Sequence, residues 1–130
     1  MVQVQFSFEK LEVWQKSIEF TSRVISLVET IEADRRHYRL VEQLEASSAS
    51  IALNIAEGNG RYSKKEFIRF LYIARGSLYE TISLLVIFHK NSWISTSQLD
   101  ELKTFGSEIG RMISGLIKAV KPINGEQVVI

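Results

Sequence analysis

The residues in this 130-residue chain that most plainly suggest chemistry are basic side chains in two short stretches, residues 35–39 and residues 61–75. The larger stretch, residues 61–75, contains a single acidic residue, Glu66. Lysine and arginine can neutralise phosphate groups without reading base identity, so both stretches are candidate nucleic-acid contacts. The same pattern is also typical of solvated helix ends. The candidate contact residues are Arg35, Arg36, Arg39, Arg61, Lys64, Lys65 and Arg69.

Catalytic, cofactor and metal sites are not predicted by any spacing in the chain. There is no cysteine, which excludes a thiol nucleophile or a thiolate metal site. Neither His37 nor His89 follows a glutamate by three residues, as the histidines of di-iron bundles do. The sequence 58–60, Gly-Asn-Gly, follows a helical pattern and lacks the third glycine of a dinucleotide loop. We therefore expect no enzymatic activity, no bound cofactor and no small-molecule substrate.

The larger basic stretch is expected to lie on a helical hairpin with a short turn. Gly58 is expected to end the first helix of the hairpin in the left-handed conformation, and Gly60 supplies turn chemistry. Ser63 and Glu66 have the spacing of a capping box, in which the Ser63 hydroxyl accepts from the Glu66 N–H and the Glu66 carboxylate accepts from the Ser63 N–H. Gly76 lies inside the helix that follows this turn, and a glycine there predicts a close approach of two backbones.

Apolar residues spaced three and four apart predict four helices joined by short turns. Thr96 or Ser97 is expected to cap the last helix, and Pro122 to end it. The chain is therefore predicted to be all-α, a single domain over residues 1–130 folded as an antiparallel, up-down-up-down, left-handed four-helix bundle. The predicted helices span about 8–31, 38–57, 64–90 and 97–120, followed by a tail at 122–130.

The first helix carries two neighbouring apolar stripes instead of one. The stripe that begins at Leu11 and Trp14 has the spacing of a bundle seam. The second stripe either broadens the core of the same chain or packs against another subunit. Under the latter alternative, the candidate interface residues are Val13, Phe20, Val24 and Leu27.

The centre of the second helix, residues 46–50, consists entirely of alanine and serine. Such small side chains predict close packing against a neighbouring helix, with serine hydroxyls bonding back to the helix backbone. In an antiparallel hairpin, Arg75 lies level with this segment. Arg75 either joins the basic stretch in binding phosphate or bridges to Glu45, and we favour the bridge because a guanidinium can satisfy several acceptors.

Three segments resemble one family: LEVWQKS at residues 11–17, SIALNIAEG at 50–58 and FIRFLYIARGSLYE at 67–80. The chain resembles the bacterial four helix bundle protein family, first described as proteins encoded by intervening sequences in large-subunit ribosomal RNA genes. The resemblance runs from about residue 8 to residue 121. The signature residues and the turn residues form the expected structural motif: Asn54, Glu57, Gly58, Gly60, Ser63, Glu66, Arg75 and Gly76.

The resemblance implies a helical subunit that assembles into a homo-oligomer, with a pentameric ring as the expected form. The chain is also similar to the accessory variability determinant of diversity-generating retroelements, a basic bundle that binds nucleic acid and a reverse transcriptase. Two functions follow as hypotheses. One is a non-enzymatic oligomeric scaffold that binds RNA, DNA or a nucleic-acid enzyme; the other is an oligomeric protein–protein adaptor with no nucleic-acid role.

The amino terminus and the apolar runs favour a cytoplasmic location without membrane contact. The first eight residues contain no basic residue ahead of an apolar segment, unlike a signal peptide. The longest purely apolar run, residues 84–88, is far shorter than a bilayer requires.

Overall fold

Four helices make up the architecture of the computed structural model, which describes residues 4–31 and 37–121. The described residues contain no strand. Packing contacts join α1 to α2, α2 to α3, α3 to α4 and α1 to α4, so the predicted all-α four-helix bundle is confirmed. A short 3-10 turn at Ser7–Lys10 precedes α1 Glu12–Glu29, α2 Tyr38–Asn59, α3 Lys64–Lys90 and α4 Thr96–Val120.

The helix bounds follow the apolar spacing closely, and capping residues explain where they depart from it. Helix α1 begins later than predicted because Leu11 is extended, with φ −74° and ψ 121°. Helix α4 is capped by Ser95 rather than Thr96 or Ser97. The Ser95 hydroxyl accepts from the Gln98 N–H at 3.0 Å, and the Gln98 side chain accepts from the Ser95 N–H at 2.8 Å. The predicted tail at 122–130 lies outside the described residues.

Hydrogen bonds between small side chains set the register of α2 against α3. Ser47 lies 2.8 Å from Thr81, and Ser50 lies 2.9 Å from Ser77, hydroxyl to hydroxyl. The residue number rises along α2 as it falls along α3, so these two helices run antiparallel. The close packing predicted for residues 46–50 is confirmed, and the left-handed supercoil of the bundle stays a prediction.

The second apolar stripe of α1 lies inside the bundle, so the core alternative holds and the subunit-interface alternative is wrong for these residues. Phe20 packs edge-on against Phe105 of α4, with ring centroids 5.6 Å apart. Helix α1 packs against both α2 and α4, and this stripe points between them. The other stripe contains the two exposed aliphatic side chains of α1, Ile18 and Ile25. The candidate interface residues, with their exposed fractions, are Val13 5%, Phe20 0%, Val24 0% and Leu27 8%.

Gly58 lies within the last turn of α2, so the prediction of a left-handed residue there is wrong. The helix continues to Asn59, and Gly60 caps it in the right-handed region at φ −83°. Glycine is required for a different reason. A Cβ placed on Gly58 would lie 2.6 Å from the Cβ of Phe70, closer than real Cβ contacts. The close approach that we expected at Gly76 occurs at Gly58 instead.

Gly76 lies on an exposed part of α3, with nothing within 4 Å of a Cβ placed there. The expectation of a close backbone approach at Gly76 is therefore wrong.

Helix α3 also has the length and apolar composition to cross a membrane, but 44% of its most apolar window is buried within the bundle. The core helix of a bundle meets the same two criteria, so this property is weak support for a membrane span.

We expect Gly58→Ala to lower the free energy of unfolding by about 1–3 kcal/mol, because the added methyl group overpacks the contact with Phe70. Gly76→Ala is the matched control. It adds the same methyl group to an open helical site, and it should raise stability by up to about 1 kcal/mol. Urea melts of both variants measure the difference. Equal melts for Gly58→Ala and the wild-type protein would contradict the role given to this contact.

Candidate nucleic-acid interface

The turn between α2 and α3 is fixed by backbone and side-chain hydrogen bonds at both helix ends. The Gly60 N–H donates to the carbonyl oxygens of Ala56 and Glu57, at 3.2 Å each. The buried Ser63 hydroxyl accepts from the Glu66 N–H at 3.1 Å, which confirms half of the predicted capping box. The Glu66 carboxylate does not complete the box, because it pairs with Arg69 instead.

Two of the basic side chains at this turn contact a buried aromatic ring, that of Phe70. The guanidinium carbon of Arg61 lies 4.8 Å from the centre of the Phe70 ring, and that of Arg69 lies 4.5 Å from it. Cations are attracted to an aromatic ring, so Phe70 orients both guanidinium groups. Lys64 and Lys65 follow the turn and are exposed. The structure thus brings together the four sequence-predicted cations of the larger basic stretch.

Two carboxylates reduce the charge of this cluster. Glu57 lies 3.0 Å from Arg61, and Glu66 lies 2.9 Å from Arg69. The hydrogen bond from Arg69 holds the pKa of the Glu66 carboxyl below its ordinary value. Glu66 therefore stays ionised at neutral pH, and its contribution to stability would disappear only as the pH falls through that lowered pKa.

Four cations and two carboxylates leave the cluster with a formal charge of +2. Lys64 and Lys65 form no ion pair with any residue in the described ranges, 4–31 and 37–121. These two lysines are therefore the cations of the turn most available to an external anion.

Tyr62 is the residue of this site that sequence reasoning missed. Its side chain is 88% exposed, the largest value among the exposed large hydrophobic residues of the described chain. The signal was present, because Tyr62 follows Arg61 and precedes Lys64 in a turn where no core position was predicted. We define the basic turn surface as Arg61, Tyr62, Lys64, Lys65 and Arg69.

Arg39, the described candidate of the smaller basic stretch, does not share a surface with the larger stretch. Arg39 is exposed near the beginning of α2, whereas Arg61 follows the end of that helix. About 20 helical residues separate them, a distance of roughly 30 Å at 1.5 Å per residue. The other two candidates of the smaller stretch, Arg35 and Arg36, lie outside the described residues.

Arg75 contacts α4, so the predicted bridge to Glu45 of α2 is wrong. Its Nη1 donates to the Ser114 hydroxyl at 3.1 Å. The residues of α3 that bond to α2 include Ser77, and Arg75 lies two residues earlier, about 200° around the helix. Arg75 therefore faces α4 and not α2.

The other polar residues singled out in the sequence have structural contacts. Asn54 donates to the Ser50 carbonyl oxygen at 2.8 Å, within α2. His89 lies 3.0 Å from the Thr96 hydroxyl, and His37 packs on Trp93 with ring centroids 4.5 Å apart. No group of three metal-ligating side chains occurs in the part of the chain that the structure describes.

The sequence also matches a known protein family over most of its length. The profile of the 23S rRNA-intervening sequence protein family matches residues 9–115, which include all of α1, α2, α3 and the basic turn surface. The chain belongs to this family. No curated protein matches it.

A solved structure that is similar to this intervening sequence protein has the same fold. It is a crystal structure of a protein of unknown function from the S23 ribosomal protein family of Bacteroides thetaiotaomicron. The two chains share 27% sequence identity and superpose with a TM-score of 0.75. The similarity covers 82% of this chain and 98% of the Bacteroides chain. The helical bundle is thus common to both proteins.

Proposed function

We propose that this intervening sequence protein is a non-enzymatic, homo-oligomeric scaffold that binds RNA or DNA through the basic turn surface. One observation carries the proposal: an aromatic side chain, Tyr62, is 88% exposed among four exposed cations. Charged side chains keep a helix end solvated, but solvation of the helix end does not require the exposed ring of Tyr62. Cations with an exposed aromatic side chain are the combination that proteins use to bind nucleic acid without sequence preference.

The mechanism follows from the geometry of the turn. Lys64 and Lys65 neutralise backbone phosphates, while Arg61 and Arg69 are oriented by the Phe70 ring between them. Tyr62 stacks on an unpaired base, a contact that every base can make. Nothing in this arrangement reads base edges, so binding should be tolerant of sequence.

Oligomerisation is the second part of the proposal. Ile18 and Ile25 of α1 are 41% and 40% exposed, and Leu53 of α2 is 66% exposed. These aliphatic side chains replace the residues of the buried α1 stripe as candidates for contact between subunits. A pentamer would collect five basic turn surfaces, and the resulting positive field would favour association with nucleic acid. The proposed location is the cytoplasm.

The alternative, a protein–protein adaptor, is favoured by a separate observation at the same end of the bundle. Val4 and Phe6 are 74% and 62% exposed. The neighbouring Ser7 donates to the Asn59 side-chain oxygen at 2.8 Å, which places this segment beside the turn. Such an apolar patch suits a protein partner, including a nucleic-acid enzyme. Salt dependence distinguishes the two functions.

Lys64→Gln combined with Lys65→Gln should weaken the binding of a fluorescent 20-base-pair DNA, on the order of tenfold, because fewer phosphates are neutralised. The slope of log K against log salt should become shallower by about 0.9 for each phosphate that is no longer neutralised. The matched control is Arg39→Gln with Lys90→Gln, which removes two exposed cations at the other end of the bundle. Fluorescence anisotropy at several salt concentrations measures both quantities. The same titration is made with an RNA of equal length, and a wild-type protein that binds neither RNA nor DNA would leave the adaptor function in its place.

Ile18→Glu combined with Ile25→Glu should reduce the mass found by light scattering while leaving the helical circular dichroism unchanged, because both positions are exposed in the single chain. Ile87→Glu, at a position 42% exposed on α3, is the matched control and should keep the assembly intact. A wild-type protein that is monomeric at micromolar concentration would contradict this part of the proposal.

A further inference from the structure

A groove runs along the surface between α3 and α4, apart from the turn. Its volume is about 660 Å³. Leu78 and Ile82 of α3 provide apolar side chains, and Lys103 and Arg111 of α4 provide cations two turns apart on the same helix. The groove therefore offers apolar surface together with positive charge, and none of the functions derived above uses it.

Exposed tyrosines connect this groove to the basic turn surface. Lys65, Tyr72 and Tyr79 follow each other at intervals of seven residues, which places them on one face of α3. Tyr72 is 43% exposed, and Tyr79, which lines the groove, is 59% exposed. Their separation along the helix is about 10 Å. Tyr62 at the turn is a third exposed tyrosine. We call Tyr62, Tyr72 and Tyr79 the tyrosine path.

Arg75 orients the two helical tyrosines. Its guanidinium carbon lies 4.9 Å from the Tyr72 ring centre and 6.0 Å from the Tyr79 ring centre. The hydrogen bond to Ser114 fixes the guanidinium against α4. The rings are thus positioned by a cation that itself contributes positive charge to the path, which gives the misassigned Arg75 a different role.

The charges that face the groove are predominantly positive. Arg111 donates to the Ser107 hydroxyl at 2.8 Å and remains exposed, as does Lys103. One carboxylate, Asp100, lies with Lys103 and Arg111 around the adjoining surface depression. The next acidic residue of α4, Glu101, pairs with Arg23 of α1 on the other side of that helix. An anionic ligand is therefore the chemical complement of this face.

We propose that the groove between α3 and α4 binds single-stranded nucleic acid that continues from the basic turn surface. The inference rests on the proposed function and specifies the form of nucleic acid bound. Tyrosine rings stack only on bases that are not enclosed in a duplex, and the apolar groove wall suits the flat faces of such bases. Arg75, Lys103 and Arg111 lie where they would meet the accompanying phosphates.

The test compares a fluorescent twelve-nucleotide oligouridine with a twelve-base-pair duplex RNA, using the assembled protein. Tyr72→Leu combined with Tyr79→Leu keeps apolar side chains and removes the aromatic rings. We expect the affinity for oligouridine to fall by about 30-fold or more, because the stacking contacts of two bases are lost. The salt slope should stay the same, and the duplex affinity should change less than about threefold. Tyr38→Leu, which removes an exposed ring at the beginning of α2, is the matched control and should change neither affinity.

A second variant separates charge from stacking. Lys103→Gln with Arg111→Gln should make the oligouridine salt slope shallower by about 0.7 for each phosphate that is no longer neutralised. Circular dichroism verifies that every variant is folded. If the affinity for oligouridine falls in the Lys64→Gln and Lys65→Gln variant but is unchanged in both groove variants, the groove inference is overturned while the proposed function stands. If the wild-type protein binds neither probe, the proposed function fails, and the groove inference fails with it.

Discussion

The contact between Gly58 and Phe70 is the constraint on which the rest of the site depends. With no side chain at Gly58, the last turn of α2 approaches the first turns of α3 so closely that the Phe70 Cβ and the Phe67 ring fill the space. Phe70 is only 6% exposed, so nearly all of its side chain is packed inside the protein. The polar edge of its environment consists of Arg61 and Arg69. The close approach at Gly58 therefore places the Phe70 ring where it contacts both guanidinium groups.

The same end of the bundle combines tight packing with high exposure. Ser63 is buried and caps α3, while Tyr62, one residue earlier, is the most exposed of the large hydrophobic residues described. Nothing in the packing of the single chain requires a tyrosine there. The charge of the cluster is moderated by Glu57 and Glu66, which limits repulsion among the cations. Stability and binding thus use different residues of one short turn.

Much of the fold could be predicted from the sequence because local signals determine it. The bounds of α3 and the Ser63 cap depend on spacing and on one hydroxyl group, and both agree with the structure. Which stripe of α1 faces the core depends on how α2 and α4 flank that helix. Sequence reasoning therefore left the place of Phe20 open and put Ile18 in the bundle seam, although Ile18 is exposed. The direction of Arg75 was missed for the same reason, because which residues of α3 face α2 and which face α4 depends on how the helices pack. The site was predicted as a set of charges, whereas Tyr62 was overlooked although its place among those charges can be read from the sequence.

The claim that nucleic acid lies along the turn and the tyrosine path is tested most directly by photochemical cross-linking. Oligouridine containing 5-iodouridine would be bound to the wild-type protein and irradiated, and the modified residues would be identified by mass spectrometry. The account predicts adducts at Tyr62, Tyr72 and Tyr79, and none at Tyr38 or Trp93, which lie at the opposite end of the bundle. Adducts concentrated at Tyr38 or Trp93, or binding without any adduct on the three tyrosines, would contradict it.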